Sequence, residues 1–414
     1  MLSAFAAIAD DITGACDVAA ELATAGMRAR VVVEPGAAVA DDEQCVSVVN
    51  TQSRALAPAA AAARVRAALG VHPVRLVLKK IDTALRGHLG AELDAALAHL
   101  GATGFVVPAI PSAGRVTRGG CQWFDGRLLA ETEFARDPEG SGAISSVAEA
   151  IARESRRAVA TLDRACVGDG SLAAAVRRQR RAGIDCFVVD AESDADVRRA
   201  VAAITALPGP LCLAGSIALA AALAPRLRAA GAAAAESWWP APPGLVVNGS
   251  LHSRARAQVD AVLARGGVVA LAASGAAGQE AVAARAAAAL AAGTSVVVTP
   301  RAAAGVPTAA ARRATEAALA DLVAAIVSRE RPETLVLIGG ETSYAILRRI
   351  GAGAIAVHGR VVPLVSHGRI LHGAAAGTRL VTKGGSGGDP GVVAACLAAT
   401  REAAPGAAEG APGA

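Results

Sequence analysis

The chain is predicted to be α/β, with two α/β domains of mainly parallel sheet and a ligand cleft between them. Three observations lead there. Short β-rich runs alternate with alanine-rich helical stretches. Most of those runs end in a polar or glycine cluster, where open α/β sheets place their ligands. The alternation breaks once, between Ala229 and Gly244, and 414 residues is a length for two domains.

Taken in order, the first half has strands at Phe5–Ala9, Val46–Val49, Val74–Leu78, Phe105–Val107 and Leu211–Leu213. They run into Asp10-Asp11, Asn50–Arg54, Lys79–Asp82, Pro108–Arg115 and Gly215-Ser216. The break reads as a linker stiffened by proline and pinned by Trp238 and Trp239. Past it, strands at Leu245–Val247, Val268–Leu271, Ser295–Val298, Leu335–Ile338 and Leu380-Val381 follow. The expected division is therefore 1–228 as the first domain, 229–243 as the linker, 244–400 as the second domain and 401–414 as a frayed Ala/Gly/Pro tail.

Composition excludes several classes. Seven scattered cysteines without a CxxC make neither a disulfide framework nor a zinc site. The first residues lack a basic flank and meet Asp10 and Asp11 at once, so a cytoplasmic protein is expected, with no membrane partner. A net charge of +5 with 2% aromatic residues argues against nucleic acid, and Arg177–Arg181 reads as a solvated helix face. A homo-oligomer stays open. No GxGxxG, GxxxxGK[ST], GxSxG or HExxH occurs.

Of 41 Lys and Arg residues only Lys79, Lys80 and Lys383 are lysine. Where arginine serves almost everywhere, a surviving lysine marks a place that takes a compact ammonium, such as the approach to a phosphate. Lys383 sits in one of three glycine-bearing loops at predicted strand ends. The other two hold Gly249 and Ser250, and Gly339, Gly340, Glu341 and Thr342. Backbone N–H groups in such loops, with Gly384 and Gly385 beside the lysine, suit the phosphates of a nucleotide.

The first half carries a different set. Asp10 and Asp11 occupy a strand-to-helix turn, where one can accept a proton or position magnesium and Asp11 can cap the helix. Lys80, Asp82, Thr83 and Arg86 fall within eight residues. Arg54 and Arg86 follow separate strands and suit a bidentate clamp on a substrate carboxylate, although Asp82 and Arg86 can also pair with each other. Pro108–Gly119, with Arg115, reads as a restricted binding loop. No role attaches to the charged segment Glu131–Pro138.

Together these segments resemble the four-carbon acid sugar kinase family. The resemblance rests on IADDITGACDVAAELATAG, NTQSRAL, KKIDTALRGHLGAEL, VPAIPSAGRVTRGG, ETEFARDP, GSIALA, VVNGS, VLIGGETSYAILR and LVTKGGSGGDP, which span nearly the whole chain in the family's order. It implies an acid-sugar-binding first domain and a nucleotide-binding second domain. It also implies ATP, with Mg2+, as phosphoryl donor to the terminal hydroxyl of erythronate, threonate or a 3-oxo-tetronate. Asp10, Asp11, Asp82 and Lys383 would be catalytic. Asp10, Arg54, Lys80, Asp82, Thr83, Arg86 and Arg115 would bind the acid. Gly249, Ser250, Ser253, Gly339 to Thr342 and Lys383 to Gly385 would bind the nucleotide, and metal ligands are left unassigned. Similar proteins usually read Asp-Ser-Thr-Leu-Arg-Gly-Asn where this chain has Thr83, Ala84 and His88, and Ser386 stands where an aromatic is common. Those departures bear on which acid is used. The alternatives are a kinase of another small hydroxy acid or polyol, or a non-catalytic sugar-acid-binding protein.

Overall fold

The computed structural model describes residues 5–36, 42, 44–70, 74–136, 144–227, 239–273, 276–300 and 307–398. Most of the expected linker (229–238), Asp137 and Pro138, and the 401–414 tail lie outside these. The strands are β1 (Phe5–Ala9), β2 (Arg28–Val32), β3 (Cys45–Asn50), β4 (Leu76–Lys80), β5 (Thr103–Val107), β6 (Arg115–Arg118), β7 (Cys121–Phe124), β8 (Arg127–Leu128) and β9 (Val159–Leu162). They continue as β10 (Cys186–Val189), β11 (Leu211–Gly215), β12 (Gly244–Asn248), β13 (Val268–Ala273), β14 (Ser295–Pro300), β15 (Thr334–Ile338), β16 (Ala354–Val362), β17 (Val365–Ile370) and β18 (Arg379–Lys383). The helices are α1 (Ile12–Thr24), α2 (Pro58–Leu69), α3 (Leu89–Leu100), α4 (Val147–Ala152), α5 (Arg164–Gly168), α6 (Leu172–Arg181) and α7 (Asp194–Thr205). After them come α8 (Ile217–Leu227), α9 (Ser253–Arg265), α10 (Ala276–Ala291), α11 (Ala309–Val327), α12 (Gly340–Arg349) and α13 (Val392–Cys396).

The chain forms two compact units. In the first, the sheet runs β3-β1-β4-β11-β5-β10-β9, all parallel. Its strands are near-continuous apolar runs because helices cover both faces. One face packs Val77, Leu93, Leu97, Val106 and Ile151 into a continuous core. Asp11 caps α1 by accepting from the Gly14 N–H, and Ser193 and Asp196 form a capping box on α7. The Arg177–Arg181 run lies on α6 with every arginine exposed, as the composition led one to expect.

The second unit has β13-β14-β12-β15-β18 in parallel, then β17-β16-β2 antiparallel. Val246, Val297, Val336, Ile338, Val381 and Val392 make its core. Two features depart from the simple alternation. β16 and β17 form a hairpin, which brings antiparallel pairing into a mainly parallel sheet. β2, from the first half of the sequence, pairs with β16 and belongs to this unit. A cut at residue 228 therefore has an exception at Arg28–Val32, because a short strand needs a partner edge and finds it on β16. The end of the linker is anchored within this unit. The Thr334 hydroxyl donates to the Ala241 carbonyl (2.7 Å) and accepts from its N–H (2.9 Å), and Trp239 lies 5.1 Å from the His367 ring.

Candidate functional site

In the first unit the charged residues gather beyond the carboxyl ends of β1, β3 and β4, neighbours in the sheet. Asp10 and Asp11 follow β1 and are 2% and 3% exposed. The 50–54 loop after β3 swings Arg54 onto both. The Arg54 Nε and Nη2 donate to the two oxygens of Asp10 at 2.9 and 3.0 Å, and Nη1 donates to Asp11 Oδ2 at 3.1 Å. The backbone carbonyl of Asp10 holds the same loop by accepting from the N–H groups of Ser53 and Arg54.

Burial pushes the Asp11 carboxyl up. The charges of Arg54 and Lys80, with donors at Thr13 (2.6 Å) and Gly14 (2.9 Å), outweigh that and hold it below the ordinary aspartate value. Burial pulls the Arg54 guanidinium down, but Asp10, Asp11 and Asp82 raise it well above normal.

Lys79 and Lys80 are consecutive on a strand and so point to opposite faces. Lys80 reaches towards the start of α1 and donates to the Ile81 carbonyl at 2.9 Å. Lys79, 1% exposed, meets Glu92 of α3 at 2.5 Å. Glu92 also accepts from the Ser53 hydroxyl, which bonds Thr51 Oγ1 at 2.7 Å. This buried chain includes Thr51 and Ser53 of the loop that carries Arg54. Burial lowers the Lys79 ammonium's pKa, and Glu92 and Asp10 more than restore it.

Asp82 to Gly87 is a turn, not a helix. Asp82 accepts from Arg86 Nε at 2.6 Å, so the local pair is present. Burial of Asp82 is outweighed by Arg86, Arg54 and Lys80, which put its carboxyl far below the usual range. Gly87, at φ +83°, brings the turn against Arg54; a Cβ there would lie 3.3 Å from Arg54 Cγ.

The sequence reading expected Arg54 and Arg86 to converge on a ligand carboxylate. Both are engaged by the chain's own carboxylates, Arg54 the more deeply, with its side chain 12% exposed against 26% for Arg86.

The Pro108–Gly119 loop contains β6, part of a three-stranded antiparallel sheet, β6-β7-β8. Gln122 on β7 ties this sheet to the turn by donating to the Thr83 carbonyl at 3.0 Å. Arg115 Nη1 donates to Thr83 Oγ1 at 2.6 Å, with its guanidinium 4.8 Å from the Phe124 ring and 5.7 Å from Phe134. The unassigned 131–138 segment thus supplies Phe134. Glu92, Ser53, Gln122 and these rings were not singled out in the sequence, since no spacing rule links them to the charged residues.

In the second unit the three glycine loops come together. The Gly249 N–H donates to the Ile338 carbonyl (3.0 Å) and the Gly339 N–H to the Lys383 carbonyl (2.9 Å). The loops touch so closely that side chains are excluded. A Cβ on Gly249 would lie 1.9 Å from Thr342 Oγ1, and one on Gly385 2.2 Å from Ser250 Oγ. Gly339 caps α12, and Glu341 and Thr342 form its first turn. Ser253 opens α9, which His252 caps through Nδ1. Lys383 is fully buried and donates to the Gly384 carbonyl at 2.7 Å. The whole expected set from Gly249 to Gly385 therefore shares one end of one sheet, with two helix N-termini beside it.

A family described as a sugar-binding N-terminal domain matches residues 5–223, and one described as a nucleotide-binding C-terminal domain matches 245–393. A D-threonate kinase of Cupriavidus necator is 34% identical over 92% of this chain and 94% of its own. A D-erythronate kinase of Heliobacterium modesticaldum is 30% identical over 94% and 95%. A solved structure from Salmonella typhimurium LT2 superposes with a TM-score of 0.76 at 20% identity, covering 94% of this chain and 97% of that one, and so shares the fold. No described helix is long and apolar enough to cross a membrane. The chain belongs to the four-carbon acid sugar kinase family.

Proposed function

We propose that this kinase phosphorylates the terminal hydroxyl of a four-carbon sugar acid, threonate, erythronate or a 3-oxo-tetronate, with the acid on the first unit and ATP on the second. The observation that carries it is the pairing of a carboxylate–arginine–lysine cluster in one unit with a glycine-loop site holding a buried lysine in the other. Relatives named for threonate and erythronate match nearly the full chain.

Asp11 is committed to capping α1 and to Thr13, so Asp10 is the carboxylate that accepts the substrate hydroxyl proton. Arg54 holds Asp10 in place through its two donors to the carboxylate oxygens. Phosphoryl transfer proceeds through a loose transition state, so an oriented weak base is sufficient and a strong one is not required. Arg86, the more exposed guanidinium, meets the acid's carboxylate. Thr83 and Arg115 flank it on a scaffold made rigid by Phe124 and Phe134. Lys383 and the loop amides hold the nucleotide phosphates.

Among the described residues no group of three or more metal-ligating side chains gathers, and arginine already neutralises Asp10, Asp11 and Asp82. The expected Mg2+ would be held chiefly by the nucleotide phosphates.

A coupled ADP-release assay over D-threonate, D-erythronate and 3-oxo-tetronate, with a neutral four-carbon polyol as control, tests this reading. Acid-dependent ADP release is expected. Release with the polyol alone, or with none of the acids, would overturn it.

A further inference from the structure

Gln258 is fully buried on α9 and lies outside every motif discussed so far. Its Nε2 faces three consecutive carbonyls of the lysine loop: Gly387 at 2.9 Å, Gly388 at 3.1 Å and Asp389 at 2.9 Å. Its Oε1 has no partner among the described residues, so the loop alone fixes which way the amide points. One helical turn earlier, Arg254 Nη1 donates to the Ser386 carbonyl at 3.2 Å. Four successive carbonyls are thereby turned towards one face of α9.

A trans peptide sets its C=O and N–H on opposite edges. Each carbonyl drawn to α9 therefore turns the next residue's N–H away from it. The Gly387, Gly388 and Asp389 amides are affected; residue 390 is proline and has none. Gly387 N–H lies 3.4 Å from the Gly384 carbonyl, which closes the turn. A run of glycines has no preferred shape of its own, and holding it in one conformation opposes a large entropy.

We propose that Gln258 is a positioning residue for the nucleotide: it holds the 384–389 loop in the conformation that takes phosphate, before ligand arrives. The inference rests on the nucleotide reading of this unit. If it holds, losing the amide weakens ATP selectively, because the acid's residues are elsewhere in the sequence and the fold.

The test is Gln258→Met, which keeps volume and removes the donor, with Gln258→Glu as a second near-isosteric variant. Gln279→Met is the control, since Gln279 likewise donates from its side chain to a backbone carbonyl of this unit, Ala318 at 3.0 Å, away from the loops. ATP affinity of the wild-type chain is measured first by calorimetry; no binding there would refute the nucleotide reading and the proposal with it, whereas the variants below test Gln258 alone. Given wild-type binding, the ATP KM of the Gln258 variants is expected to rise about tenfold, with acid KM and saturated kcat within about twofold. Gln279→Met should lower Tm and leave ATP KM alone. Amides of 384–389 should exchange faster with deuterium in Gln258→Met than in wild type. Unchanged ATP KM in a folded variant, an equal rise in acid KM, or failure of both Gln258 variants to fold would overturn the proposal.

Discussion

The two candidate sites are built from opposite materials. In the first unit the candidate site is built of side-chain charge: Asp10, Asp11 and Asp82 face Arg54, Arg86 and Lys80, with Lys79 and Glu92 paired beside them. In the second the candidate site is built of backbone. Three glycine loops press together so tightly that Cβ atoms are excluded, and Lys383 lies fully buried beside them. A sugar acid offers a carboxylate and hydroxyls in a fixed pattern, which rigid charged groups can read. A triphosphate offers a dense anion that any array of N–H donors can hold, so the loops need shape more than side chains.

The largest effect should come from breaking the buried pair beside the charged site. Lys79→Met leaves Glu92 buried without its cation, and such a loss costs about 3–5 kcal/mol. Denaturant unfolding measures it, and Lys79→Met with Glu92→Leu should recover most of it. Equal stability of single and double variants would show that the pair is not coupled.

Crowding the backbone site should be nearly as harmful to function while sparing the charged one. Gly385→Ala places a methyl against Ser250, so ATP KM should rise about tenfold with acid KM steady. Lys383→Arg should follow more mildly, with ATP KM up several-fold, because a planar fork replaces a fully buried ammonium. Unchanged steady-state kinetics in folded Lys383→Arg would make the lysine incidental.

The smallest effect is on pH. Asp11 and Asp82 have folded pKa values below their unfolded ones, so their contribution is present above about pH 4 and is lost as pH falls towards the folded values. Lys79 is raised, so its contribution is present below about pH 10 and is lost only as pH rises through its folded value. None of these three groups predicts a change in Tm between about pH 5 and 9. Melting across that range checks this, and a steep fall already between about pH 7 and 5 would assign the control to other groups.

Much of this difference was legible in the sequence, and what was hidden follows from it. Asp10-Asp11, Lys80–Arg86 and the three glycine loops stand out because each closes a strand. Lys383 stands out because lysine is rare here. Glu92 and Gln258 were not visible: each meets its partner through the packing of a helix on a strand or loop, at separations no local rule covers. The hairpin of β16 and β17, and the first-half strand β2 that pairs with it, escaped because alternation predicts parallel strands. Arg54 was placed correctly after its strand. That it meets Asp10 and Asp11 depends on the turn of the 50–54 loop, where Gln52 takes φ +43°.

The division of labour between the two units is tested most directly by Arg86→Ala, with both Michaelis constants and Tm taken on one preparation. Losing the bidentate partner of a charged ligand costs about 2–5 kcal/mol, so acid KM should rise roughly 30-fold or more while ATP KM stays within about twofold. A lower Tm with unchanged acid KM would mean that Arg86 serves only its pair with Asp82, and would contradict the account.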